Sequence, residues 1–207
     1  MYHHRRTRTD RGAALIEAAI ILPVLMVFLL GIIEFGLVYA TGATATGASR
    51  SGARLAAATF GPERNNLHNA SNTGAADQVA KAVSADLTAL TSAQPIGMVV
   101  YQVQRPQATN TDGRPNGGFP GENATMSGGC TSNCIRYTWN TGTKQMVYSS
   151  GSWPAAQVDA CTAASIDNVG VWVLIRHSYL TKLIGEYNYI SGKTIMRLEP
   201  LPSEQCS

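Results

Sequence analysis

An apolar run near the N-terminus constrains this chain more than any other feature. No residue from 18 to 33 carries a charge, and Phe35, Leu37, Val38 and Tyr39 extend the run. An apolar stretch of roughly 20 residues is enough for a helix to cross a hydrocarbon core of about 30 Å. Pro23 falls near the start of the span, where a membrane helix tolerates it. Glu17 stands just inside the basic end of the run and Glu34 near its other end. A carboxylate in a membrane segment is costly without a partner, which makes Glu17 a functional candidate.

Charge placement orients the span. Arg5, Arg6, Arg8 and Arg11, with His3 and His4, precede it, and the first positive charges after it are Arg50 and Arg54. The positive-inside rule then leaves the N-terminus in the cytoplasm and exports the rest. The same arginines account for the formal charge of +3. Four of the 16 basic and one of the 13 acidic side chains lie before Ala13, leaving 12 of each sign beyond it. A neutral head offers no basic surface for phosphates, which argues against nucleic acid as a partner. A conventional secretory signal is the competing reading, with Ala43-Thr-Ala45 as an A-x-A-like site. A signal's apolar region, however, runs to ~7–15 residues, and carboxylates such as Glu17 and Glu34 are foreign to it.

Residue by residue, Arg11-Gly12, then Ala13 through Glu17, the apolar run with Pro23, and Gly31-Ile-Ile-Glu34-Phe-Gly36 carry a further likeness. Residues 11–39 resemble the TadE-like family, the pseudopilins of tight-adherence (Tad, type IVc) pilus systems. The resemblance implies cutting by a prepilin peptidase after Gly12, so that Ala13 becomes the first and Glu17 the fifth mature residue. It implies a single-pass protein of the bacterial inner membrane. Its partners would be that membrane, the peptidase, other pilus subunits and assembly-platform proteins, in a hetero-oligomer. Glu17 and Glu34 are the expected assembly contacts. A new α-amino group on Ala13 would be largely positive at neutral pH. It could meet Glu17 of the same chain, four residues on along one helix face, or Glu17 of a neighbour.

Residues 40–58 are mostly Ala, Gly, Thr and Ser. Ala40, Thr44, Ala48, Gly52 and Ala56 recur every four residues, which on a helix makes one stripe of small side chains. Such a stripe suits a continuation of the membrane helix that packs against other subunits; a low-complexity linker is the plainer alternative. Gly42, Gly47 and Gly52 each weaken a helix by about 1 kcal/mol relative to Ala. Gly61-Pro62 ends either version. Beyond it the spacing predicts an amphipathic helix over 75–90 and a strand over 96–104. A Gly- and Pro-rich loop follows over 105–134, then a hairpin of 135–139 and 144–149 around Thr141-Gly142. A short helix is expected near 155–161. The strand over 169–179 has apolar residues on both faces and should be central. A terminal hairpin is expected from 187–190 and 194–198, turning at Ser191-Gly192. The fold class is therefore α+β: a long N-terminal membrane-spanning helix followed by a pilin-like head with a mostly antiparallel sheet. The divisions are a basic leader (1–12), the membrane helix with its small-residue extension (13–60) and an exported head (61–207).

Cys130, Cys134, Cys161 and Cys206 all fall in the exported part. An even count in an oxidising compartment reads as two disulfides, with three pairings open. Zinc fits less well, because the spacing of Cys130 and Cys134 is C-x3-C and no histidine is near in sequence. Gly192-Lys193-Thr194 is a fragment of a phosphate-binding loop, but Tyr187 occupies the position where that loop needs its first Gly. Outside the leader the histidines are His68 and His177, and His177 reads as a strand-end polar residue. The sequence lacks G-x-S-x-G and H-E-x-x-H. No catalytic residue, cofactor or metal site is expected. The rival reading is a signal-anchored envelope protein whose exported domain binds a surface or ligand, with an anchored enzyme a distant third.

Overall fold

One helix, α1, runs from Thr9 to Thr59. At about 1.5 Å per residue it is about 75 Å long. The computed structural model describes residues 9–61, 67–91, 93–103, 113–161, 165–182, 185–202 and 206. The leader arginines Arg5, Arg6 and Arg8, the stop at Pro62, and the first part of the long loop expected after residue 104 lie outside the described residues. The two halves of α1 occupy different environments. Residues 12–30 are exposed all round, whereas from Glu34 onward one face is buried at each turn, through Thr41, Ala45, Ala48, Gly52, Ala53 and Ala56. The helix is long and apolar enough to cross a membrane.

The buried half of α1 lies in the head. Helix α2 (Ala75–Leu87) packs beside it, burying Ala76, Val79, Ala80, Val83 and Leu87 at helical spacing. The two helices cover one face of a five-stranded sheet ordered β3-β2-β1-β4-β5. The strands are β1 (Ala93–Gln102), β2 (Cys134–Asn140), β3 (Gln145–Ser152), β4 (Asn168–Ser178) and β5 (Tyr187–Arg197). Every neighbouring pair is antiparallel. Alternation along β4 divides the core as its sequence pattern predicts. Val169, Val171, Val173 and Ile175 join Met98, Val100 and the alanines of α1 on the helix side. Trp172 and Leu174 join Val99 and Tyr101 on the other.

Among the described residues no helix lies over the second face. Residues 113–133 cover it instead: Met126 is fully buried, and Phe119 stacks on Trp172 at 5.7 Å and meets Tyr101 edge-on at 5.7 Å. The described part of the Gly- and Pro-rich loop is thus a second layer of the core. The expected short helix is a single 3-10 turn, Ala155–Gln157.

Two readings of the sequence need correction. Residues 187–197 form one continuous strand and not a hairpin, with Ser191 and Gly192 paired to Leu174 and Val173 in mid-strand. Gly192 is there because α1 crosses at this point. A Cβ on Gly192 would lie 2.5 Å from the carbonyl carbon of Ala45 and 2.6 Å from its oxygen. The second correction concerns the small-residue stripe, which belongs to a true helix but packs inside the chain's own head. Gly52 shows this directly, since a Cβ there would lie 2.7 Å from Val83 of α2 and 3.3 Å from Val171 of β4.

Two glycine substitutions should therefore act in opposite directions. Gly192→Ala drives a methyl into backbone that cannot turn aside, and overpacking of this kind costs about 1–3 kcal/mol. Gly47 is helical and exposed, with nothing within 4 Å of its added Cβ. Gly47→Ala should stabilise by up to about 1 kcal/mol. Denaturant melts of the detergent-solubilised chain check both; a neutral Gly192→Ala would refute the close crossing.

Candidate functional site

The expected processing and assembly residues separate into two places. Gly12, Ala13 and Glu17 lie exposed at the beginning of α1. Glu34 lies seventeen residues further on, about 25 Å along the axis. It is 2% exposed. Its Oε1 accepts the backbone N–H of Leu180 at 2.8 Å and its Oε2 that of Thr181 at 3.4 Å. Backbone donors from the turn after β4 thus supply the partner that a carboxylate in an apolar stretch requires. Glu34 ties the helix to its own head, and Glu17 is left on the free part.

One further polar contact stands two turns along α1. The Thr41 hydroxyl donates to the Leu37 carbonyl at 2.9 Å, and its Oγ1 lies 3.0 Å from Nδ1 of His177. A hydroxyl has one proton, so with that proton on Leu37 the ring must donate from Nδ1 and keep Nε2 bare. His177 is fully buried, and its Nε2 has no hydrogen-bond partner. Burial accordingly pushes the imidazole below its ordinary pKa, against a smaller pull upward from the Glu34 carboxylate. The ring of Tyr179 meets His177 edge-on at 5.6 Å. His177 is therefore a neutral, buried joint between β4 and α1.

A third cluster was not singled out in the sequence. Asp77, in the first turn of α2, is 2% exposed. Its Oδ1 takes the Tyr137 hydroxyl at 2.8 Å and lies 2.7 Å from Nδ1 of His68. Its Oδ2 takes the N–H of Gly74 at 3.0 Å and of Asn69 at 3.3 Å. The His68 ring stacks on Tyr148 at 3.6 Å. Burial holds the Tyr137 phenol above its ordinary range, and the Asp77 carboxylate adds to the effect. The available signal was an acid three residues after Gly74, where a side chain can reach back to the helix start. The cluster joins α2 to β2 and β3. No described group of three or more His, Cys, Asp or Glu side chains could hold a metal ion.

The cysteines pair as Cys130–Cys134 and Cys161–Cys206. The first closes a short loop where residues 113–133 enter β2. The second spans 45 residues and ties the C-terminal segment to the region before β4.

Comparison with known proteins bears on α1. The family model described as TadE-like protein matches residues 12–54. The match begins at Gly12, takes in Glu17 and Glu34, and ends within the half of α1 that lies in the head. No curated protein and no solved structure matches the chain significantly. The family match points to association with a pilus system.

Two measurements test this account of the head. The entropy lost by an unfolded chain on cross-linking grows with loop length, giving about 4 kcal/mol for the Cys161–Cys206 loop and about 2 kcal/mol for Cys130–Cys134. Replacing Cys161 and Cys206 by Ser should therefore lower the denaturation midpoint further than replacing the other pair. The second measurement is of pH. The pKa of His177 is lowered in the folded state, so the unfolded chain binds the extra proton. Its contribution is complete above about pH 6.5 and is lost as pH falls below that, by at most about 1.4 kcal/mol per unit. Stability of the parent should fall faster than that of His177→Gln between pH 7 and 5; parallel curves would remove His177 from the account.

Proposed function

We propose, on the premise that residues 12–54 make this a TadE-like chain, that the protein is a minor pilin or pseudopilin. It joins, primes or caps the assembly of a tight-adherence pilus. The observation that carries this reading is the continuity of α1. One unbroken helix is bare and apolar over residues 12–30 and built into the core of the head beyond Glu34. A bare apolar helix rigidly continuous with a folded head can be held by the bilayer. It can then be passed to neighbouring subunits without refolding.

In this reading a membrane peptidase cuts between Gly12 and Ala13. Gly12 is suited to the cut because a cleft must approach the backbone closely there. The head stays outside the cytoplasm and the helix stays in the inner membrane until assembly. The new amino group on Ala13 faces Glu17 of an adjacent subunit, which fixes the axial position of one helix against the next and neutralises a poorly solvated carboxylate. Glu34 contributes differently, by setting how the head sits on the helix that the neighbours grip.

N-terminal sequencing of the purified protein and one isosteric variant test the proposal. The mature chain should begin at Ala13. Glu17→Gln should insert normally yet lose co-purification with the other pilus subunits and lower pilus formation. A start near Thr46 would favour a secretory signal and an intact leader a plain anchor, while a Glu17→Gln protein that assembles like the parent would remove Glu17 from the assembly contact.

A further inference from the structure

The contacts between β5 and α1 fix how high the head stands on its helix. A Cβ added to Gly42 would lie 3.7 Å from Ile190, one added to Gly192 would lie 2.5 Å from the Ala45 carbonyl carbon, and the Ser49 hydroxyl lies 2.9 Å from that of Thr194. Strand and helix therefore run side by side in the same direction. Tyr187 precedes Ile190 by three residues, about 10 Å of strand, which equals about seven residues of helix. That places Tyr187 level with Phe35. The turn after β4 reaches the same level independently, because Glu34 holds the N–H groups of Leu180 and Thr181. The base of the head thus stands at residues 34–35 of α1.

Counting along α1 gives the position of the hydrocarbon. A core of about 30 Å needs about 20 residues of helix, or about 21 with an ordinary tilt. Residues 13–33 supply that length, and the head begins where it ends. No spacer separates the two. The side chains presented there suit a bilayer surface. Leu180 is 65% exposed, Phe35 70%, Tyr39 81% and Tyr187 49%. Lys182 is exposed beside them, and the Arg176 guanidinium sits over the Tyr187 ring at 5.5 Å. Tyrosines with basic residues are the composition of the head-group zone, and a basic side chain there can reach the lipid phosphates.

We propose that the turn at residues 180–182 is a membrane-contact element. Leu180 enters the edge of the hydrocarbon on the head's side, and Lys182 lies among the phosphates of that leaflet. The partner is a phospholipid surface. The proposal rests on the reading of α1 as a membrane span and adds a second point of contact. With two contacts, the head cannot swing freely about the end of the helix.

Spin labels in the full chain, reconstituted alone in phospholipid nanodiscs, test this. The native cysteines are all paired, so an introduced cysteine is the thiol available for labelling. Leu180→Cys is compared with Leu25→Cys in the middle of the span and Val147→Cys on the exposed edge strand β3. Relaxation by oxygen, which partitions into lipid, is set against relaxation by a water-soluble nickel chelate. The oxygen-to-nickel ratio at 180 should exceed that at 147 several-fold and fall below that at 25. If 180 matches 147 while 25 reads as lipid, the span stands and the contact is overturned. If 25 also reads as water, the span reading fails and the contact with it. A label at 180 shielded from both reagents means that protein covers the turn, which also overturns the proposal.

Discussion

Where β5 passes α1, backbone meets backbone. Gly192 has no side chain and Ala45 carries only a methyl, so helix and strand come as close as their main chains allow. An ordinary side chain at Gly192 would lift α1 off the sheet. That lift would open space around Ala45, Ala48, Gly52 and Ala56, which fill the layer between α1, α2 and β4. The small residues of α1 therefore determine its depth in the head. With no bulky side chains on that face, the helix sits low enough for Val79 and Val83 of α2 and Val171 of β4 to close around it. The exposed half inherits its direction from this seating, because α1 does not break between the two.

A helix that changes surroundings along its length must carry polar groups where the change occurs. Glu34 and Thr41 are those groups, and His177 of β4 is the partner of Thr41. Each lies on the buried side, and the described contacts of each are with this chain. Glu34 takes two backbone N–H groups and Thr41 bridges its own helix to His177. The arrangement is complete except at Nε2 of His177. An uncharged ring tolerates a bare lone pair better than an imidazolium would tolerate an N–H without an acceptor, which is why burial favours the neutral form.

Periodicity made the elements of the head legible because the chain uses the ordinary spacings. The α2 face, the division of β4 into two apolar sides and the hairpin of β2 and β3 follow from side-chain alternation alone. The errors share one cause. Gly192 looked like a turn and the Ala/Gly stripe looked like a surface for another subunit because both are small. Smallness shows that something comes close without showing what comes close. In both cases it was another part of the same chain, brought there by pairings distant in sequence. Glu34 was legible as an acid near the end of an apolar run and illegible as to its partner, because backbone N–H groups leave no mark on the sequence around Leu180. Asp77 was missed for a related reason, since Tyr137, which shares its carboxylate, lies sixty residues away. The cysteine pairing could not be chosen among three options until the C-terminal segment was placed beside Cys161.

The connection between the exposed apolar part of α1 and the head is locally weak and is held from outside. Gly31, Gly36, Gly42 and Gly47 fall within twenty residues of α1, and each lowers intrinsic helicity by about 1 kcal/mol relative to Ala. An isolated peptide of this composition would fray there. Gly31 and Gly36 flank Glu34, and nothing lies within 4 Å of where their side chains would be. Packing therefore does not brace the helix at those two positions. The contact that does brace it is the Glu34 carboxylate, which links the turn between them to the chain after β4. Further along, β5 lies against α1, where a Cβ added to Gly42 would be 3.7 Å from Ile190. The helix stays unbroken across its poorest stretch because the head holds it at two levels, at Glu34 through Leu180 and two turns further on through His177 and Ile190. A stiff joint built this way keeps its stiffness only while the head is folded, which couples the direction of the exposed apolar part of α1 to the integrity of the sheet.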